Sequence, residues 1–326
     1  MIDVKKIIKT TECFRIFSAD KVRGRLSHAY LLLTPDPIYL REYLKAFAEE
    51  IFCTEEAANG FCGKCRQCKL IGKENFTDVK IYPEKVGGKI SADDITALIE
   101  DSSLKPYEAD KKAYIITDVS LMTAVAQNKL LKTLEEPPEG VYILLGATSE
   151  YSVLPTVRSR VNTLTLPPFT EEALLDALKA TCPDETRLKT ACINCDGTVG
   201  DAEKLYGDDE FYKVVTLAEN TVLNLKNSKD VLSMANSAVN SADISEYLSA
   251  LSVIYRDMAA YLSGGKPFSD RDYKKFTEGY NLASVIYASD KITEAIKRKY
   301  FNNNETMLIE RTLLSILEGR YIWKKS

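Results

Sequence analysis

At 326 residues the chain exceeds one ordinary hydrophobic core and suits two or three domains. Its 45% hydrophobic and 28% charged residues, with no apolar run of membrane-spanning length, give the balance of a globular protein with no membrane partner. The first residues, MIDVKKIIKTTECF, lack the apolar centre of a signal peptide, so a cytoplasmic protein is expected. Forty-three basic against forty-seven acidic residues argue against coating nucleic acid through an overall field, and the single histidine, His28, argues against His-dependent triads and His-rich metal sites.

His28 to Leu33 (HAYLLL) is an apolar run of the kind that forms a doubly buried strand, and the apolar spacing from Tyr39 to Phe52 predicts a helix. Cys53, Cys62, Cys65 and Cys68 follow with the spacing C-x8-C-x2-C-x2-C. Four thiolates in one short stretch suit a tetrahedral structural Zn²⁺, closed to water. Four reduced cysteines and an iron–sulfur cluster are the alternatives; a ferredoxin run has a further cysteine followed by proline, where this chain has Lys69 and Leu70. A strand is expected at Val79 to Tyr82, then a helix opened by Ser91 with Asp94 three residues on.

Ala113 to Thr117 reads as a buried strand that delivers Asp118 to its C-terminal edge. Beyond it Met122, Ala126, Leu130 and Leu134 recur every fourth residue, with Leu131 alongside, and predict an amphipathic helix stopped by Pro137 and Pro138. Two further strands, Val141 to Leu145 and Val161 to Leu166, complete an alternation over residues 1–166 that predicts a parallel sheet covered on both faces. After Pro167 and Pro168 the pattern is helical. Residues 167–208 form a small unit with a turn around Gly197 and Gly200, and residues 209–326 are dominated by long amphipathic helices, interrupted by turns at Gly264 to Pro267 and Asn302 to Asn304. The fold class is therefore α/β followed by all-α. Cys192 and Cys195 repeat the C-x2-C spacing, but only Cys13 and Cys182 remain as partners, so they read as core residues.

Strand, acid, helix and proline stop over residues 113–138 come in the order of a Walker-B element, and AQNKLLKTLEEPP within it resembles the clamp-loader branch of the AAA+ ATPases. GRLSHAYL at Gly24 to Leu31, the cysteine module, LPTVRSR at Leu154 to Arg160 and, more weakly, FNNNETMLIERTLLSIL at Phe301 to Leu317 extend the resemblance over nearly the whole chain. It implies a degenerate AAA+ sheet domain carrying a zinc module, a helical lid over 167–208 and a helical collar over 209–326. Set against the family's G-P-x-G-x-G-K-T loop, this chain has Thr34, Pro37 and Tyr39 for the glycines, Leu40 for the lysine and Arg41 for the hydroxyl residue. Asp36 adds a charge that opposes phosphate. Val119 stands where an active ATPase has a glutamate and Asp201 where relatives have a sensing arginine, while Thr148 is a polar sensor or merely a structural threonine. No bound ATP is expected.

Ser159 and Arg160 match the family's S-R-C signature, with Val161 in place of the cysteine. The resemblance implies that Arg160 points into the ATP site of an adjacent subunit as an arginine finger; a solvated ion pair is the plainer reading of any single arginine, and Arg158 lies two residues away. By the same resemblance the chain is a non-hydrolysing member of a five-subunit ring, with gamma/tau and delta subunits, a sliding clamp and primer-template DNA as partners. Lys129 and Lys132 either touch DNA phosphates or form a solvated helix face. Two other classes stay open: a gamma-like ATPase with an atypical loop, and a stand-alone AAA+-like zinc protein.

Overall fold

Five short strands, β1 (Ala29–Leu33), β2 (Val79–Tyr82), β3 (Lys112–Ile116), β4 (Val141–Ala147) and β5 (Asn162–Thr165), build one all-parallel sheet in the order β2-β3-β4-β1-β5. The computed structural model describes residues 4–55, 60–85, 87–269, 271–299 and 304–323. Two compact units divide the chain: Met1–Thr181 with Asp196–Asp201, and Cys182–Cys195 with Ala202–Ser326. The segment 167–208 thus contributes residues to both.

In the first unit the central strands are apolar on both faces, as a parallel sheet covered by crossover helices requires. Two short helices, α1 (Lys5–Ile8) and α2 (Glu12–Val22), precede the sheet, and α3 (Leu40–Phe52) follows β1. Phe14 and Phe17 of α2 meet Phe47 of α3 edge-on, with ring centroids 5.3 and 4.9 Å apart. A helix inside the cysteine module, α4 (Arg66–Gly72), leads to β2, and α5 (Ala92–Ser102) opens with the expected Ser91–Asp94 capping box.

After β3 the chain makes a 3-10 turn at Val119–Leu121 before α6 (Ala124–Glu135) begins behind the capping hydroxyl of Thr123. Met122 therefore lies outside the helix that its spacing suggested, because Asp118 caps the intervening turn through the Ser120 N–H; its side chain still enters the core with Ala126, Leu130 and Leu134. A single turn, α7 (Pro155–Arg158), joins β4 to β5, and α8 (Glu171–Leu178) closes the run.

The second unit is helical: α9 (Glu185–Asn194), α10 (Val199–Gly207, which starts in the first unit), α11 (Asp209–Asn224), α12 (Ser228–Ser241), α13 (Ile244–Leu262), α14 (Tyr273–Phe276), α15 (Leu282–Lys299) and α16 (Glu305–Ile322). Its core joins Tyr247, Leu251 and Tyr255 of α13 to Ile292 of α15 and Leu313 of α16. The buried Tyr247 hydroxyl donates to Thr221 at 2.8 Å, and Tyr255 and Tyr280 pair at 2.9 Å, so the buried polar atoms are matched. Residues 301–303, part of the expected Asn turn and of the weak C-terminal match, lie outside the described residues.

Candidate functional site: a filled phosphate loop, a surface arginine and a four-cysteine module

The loop from Thr34 to Tyr39 runs between the C-terminal edge of β1 and the N-terminus of α3, where a nucleotide-binding fold gathers backbone N–H groups around phosphate. Those donors are taken. Asp36 is 1% exposed, and its Oδ1 accepts from the backbone N–H groups of Ile38 and Tyr39, both at 3.1 Å. Its Oδ2 accepts from the Tyr43 hydroxyl at 3.0 Å and from the Gly200 N–H at 3.1 Å. The sequence suggested an acid that keeps phosphate away; in the structure the carboxylate is itself held by the loop's backbone N–H groups just ahead of α3, where a negative charge is favourably placed.

Neighbouring side chains fix the arrangement. A Cβ at Gly200 would lie 2.7 Å from Asp36 Oδ1 and from Ile38, so this turn admits glycine alone without displacement. Burial, with the nearby Asp36 carboxylate, holds the Tyr43 phenol well above its ordinary value. Leu40, in the lysine position, is 2% exposed and packs over Gly146 of β4, where an added Cβ would come within 2.9 Å of it. Arg41 Nε donates to Glu74 at 2.9 Å, and Nη1 to the carbonyl of Pro83 at 2.9 Å. The Arg41 pairing, helped by Lys45, outweighs burial and holds Glu74 down to about 2.

The other nucleotide-facing positions have structural tasks. Asp118 caps the turn after β3, Thr148 is exposed just beyond β4, and Asp201 Oδ2 accepts from the backbone N–H of Asp196 at 3.0 Å.

Arg160 lies in the turn between α7 and β5, an edge strand with three of its four residues exposed. Its side chain is 34% exposed; Nε donates to Glu135 at 2.7 Å and Nη1 to the carbonyl of Thr156 at 2.8 Å and to Ser159 Oγ at 3.2 Å. Arg158 pairs with Glu150 at 2.9 Å. Glu135 belongs to the LEEPP end of α6, so one signature orients the other. Gln127, also on α6 and 5% exposed, donates to the carbonyl of Ser152 at 3.1 Å and accepts from the Leu154 N–H at 2.9 Å, which fixes the entry to α7. Sequence reasoning missed these two supports; an uncharged amide on the apolar face of α6 was the available signal. Lys129 is tied to α5 through Thr96 Oγ1 at 2.8 Å, whereas Lys132 is exposed.

Cys53, Cys62, Cys65 and Cys68 bring one sulfur each into a group whose members all lie within 4.8 Å of one another. Around a tetrahedral Zn²⁺ with Zn–S near 2.3 Å, sulfurs stand about 3.8 Å apart, so a slight contraction would close the set. Backbone N–H groups already point at the sulfurs: Cys62 to Cys53 at 3.2 Å, Lys64 and Cys65 to Cys62 at 3.3 and 3.1 Å, and Cys68 to Cys65 at 3.5 Å. Donors of this kind stabilise thiolates, and the four residues fit a metal ion. Cys192 is buried in α9 as expected, while Cys195 ends that helix half-buried.

The five-stranded parallel sheet in this strand order, with the loop after β1, the acid after β3 and the arginine before β5, is the arrangement of an AAA+-like α/β domain. A family model described as "DNA polymerase III, delta subunit" matches residues 9–170. The DNA polymerase III subunit delta' of Bacillus subtilis is 30% identical over 312 residues, which cover 91% of this chain and 93% of that protein. The delta' subunit of Pseudomonas aeruginosa is 30% identical over 164 residues, half of each chain, and subunit tau/gamma of Haemophilus influenzae is 32% identical over 137 residues, 42% of this chain and 20% of that one. The chain belongs to the delta' subunit family of DNA polymerase III.

Proposed function

We propose that this chain is the non-hydrolysing delta' member of a clamp-loader ring that places a sliding clamp on primer-template DNA, with gamma/tau and delta subunits as its partners. The observation that carries the reading is the contrast between Asp36, buried and bonded where a phosphate would sit, and Arg160, retained at an exposed sheet edge. A chain whose own anion cradle is filled has no use for a phosphate-sensing arginine in cis. Arg160, oriented by Glu135 and Ser159, is the group to complete a gamma/tau neighbour's ATP site, where it stabilises charge on the transferring phosphoryl group. Glu135 is its counterion until that neighbour's phosphate takes its place.

Residues 167–208 act as the lid and 209–326 as the collar; Met307, Leu314 and Ile322 of α16 are exposed apolar residues of the kind that a packed ring covers. Cys53, Cys62, Cys65 and Cys68 hold a structural Zn²⁺, and no ATP is bound. Among the described residues no helix is long and apolar enough to cross a membrane, in keeping with work in the cytoplasm.

Rings reconstituted with Arg160→Ala test this role. The variant is expected to assemble normally and to lower ATP turnover at the one site it faces, where a finger in trans is worth on the order of 10³-fold; Arg158→Ala, which loses only its pair with Glu150, serves as the control. Normal turnover with Arg160→Ala overturns the role.

A further inference from the structure

The charge of this molecule is unevenly placed. The chain is acidic overall, at −4, yet residues 60–73 contain Lys64, Arg66, Lys69 and Lys73 and no acid, and the N-terminal helices add Lys5, Lys6, Lys9, Arg15 and Arg23. These two segments face each other across an open cleft of about 830 Å³ lined by Lys5, Lys6, Lys9, Arg15 and Lys64. A second cleft of about 410 Å³, lined by Lys9, Arg15 and Arg23, shares two of these residues, so the two clefts adjoin and together count as one groove. No carboxylate lines either cleft among the described residues.

The groove's walls are set. Phe14 and Phe61, each 1% exposed, contribute to its floor and meet at 5.8 Å. Lys9 clips the two walls together: its Nζ donates to the Phe61 carbonyl and sits 3.9 Å above the Phe61 ring. Two of the lining cations are neutralised, Lys5 by Glu49 at 2.6 Å and Lys6 by Asp176 at 2.7 Å. The remaining four, Lys9, Arg15, Arg23 and Lys64, have no carboxylate partner among the described residues; Arg15 only donates to the Thr10 carbonyl at 2.9 Å.

A concave surface of one sign focuses potential and concentrates counterions, while mutual repulsion among its cations weakens the fold. We propose that the groove between α1–α2 and the cysteine module is a binding site for the phosphate backbone of single-stranded nucleic acid. A narrow track of cations suits a linear polyanion better than a flat membrane surface, and lysine and arginine without a bidentate carboxylate-like counterpart suit phosphates read as charge rather than as sequence. Because Phe14 and Phe61 are buried, base stacking adds little and binding is sequence-tolerant and salt-sensitive. The site is separate from Arg160 and from the phosphate loop, so it does not depend on ring assembly.

The test is fluorescence anisotropy of the full chain with a labelled thymidine oligonucleotide of about twenty residues, between about 50 and about 200 mM salt. Four neutralised phosphates predict a log–log salt slope of about −2.8, at roughly −0.7 each for a single strand. The triple variant Arg15→Gln, Arg23→Gln, Lys64→Gln should melt no lower than the wild type, bind at least tenfold more weakly at the lower salt and show a slope reduced to about −0.7. Lys129→Gln with Lys132→Gln on α6 should leave binding unchanged. The proposal is overturned if the triple variant binds like wild type, if the α6 pair abolishes binding instead, or if a poly-glutamate of the same length binds more tightly than the oligonucleotide, which would mark an acidic-protein docking face.

Discussion

The loop after β1 and the arm before β5 belong to one sheet, yet they have been treated in opposite ways. In the loop the charged groups are matched internally: Asp36 takes four donors and Arg41 is paired with Glu74, while Leu40 lies against Gly146. In the arm, Arg160 remains at the surface, oriented by Glu135 and Ser159. A site abandoned in place needs its buried donors satisfied, because an orphaned N–H costs about 1–3 kcal/mol. A group kept for another molecule needs only an orientation. On the proposed reading, the nucleotide site is closed by a carboxylate that accepts the loop's own donors, rather than merely eroded.

The largest effect should come from the metal module, which both regions leave untouched. Elemental analysis of the wild-type chain should find zinc near one per chain, and Cys65→Ser should lose it and loosen residues 60–73, because binding free energy at a structural zinc is folding free energy. Iron in place of zinc, or an unaltered fold without metal, contradicts the assignment.

Next comes the loop. Asp36→Ala leaves the N–H groups of Ile38, Tyr39 and Gly200 and the Tyr43 hydroxyl without their acceptor, and denaturant titration should record a loss of about 2–4 kcal/mol. The variant should still fail to bind ATP, since Leu40 and Arg41 are unchanged. A loss below about 0.5 kcal/mol would mean that water replaces the carboxylate at little cost and that the loop is not closed by it.

The smallest effect concerns the arm's support. Gln127→Leu removes an amide that bridges Ser152 and Leu154 and should destabilise the chain by about 1–3 kcal/mol. In reconstituted rings the same variant should mimic part of the Arg160→Ala loss, because α7 is no longer pinned. Full turnover with Gln127→Leu would show that Glu135 alone orients the arginine.

Much of the sheet was legible in the sequence, since strands buried on both faces are unbroken apolar runs such as HAYLLL and VYILL. The helix after Asp118 was legible except at its start: periodicity extended it to Met122, and the local bond from Ser120 to Asp118 overrode it. The N-terminal helices were missed because α1 is a single turn and α2 mixes its apolar residues with charges. Asp36 was seen as a charge but not as a ligand, because its fourth donor, Gly200, lies 164 residues away. A sharper reading had one cue: an aspartate opening a turn readily accepts from backbone N–H groups two and three residues on, as Asp36 does from Ile38 and Tyr39. The link from Glu135 to Arg160 is likewise tertiary, 25 residues apart, and no spacing rule announces it.

The central claim is that this chain's phosphate site is filled by its own carboxylate. Isothermal calorimetry of Mg²⁺–ATP into the isolated, zinc-loaded wild-type chain tests it most directly. The account predicts no saturable heat at concentrations up to about 1 mM, where any binding would be weaker than about −4 kcal/mol. Saturable binding with micromolar affinity would mean that Asp36 yields to phosphate, and would contradict it.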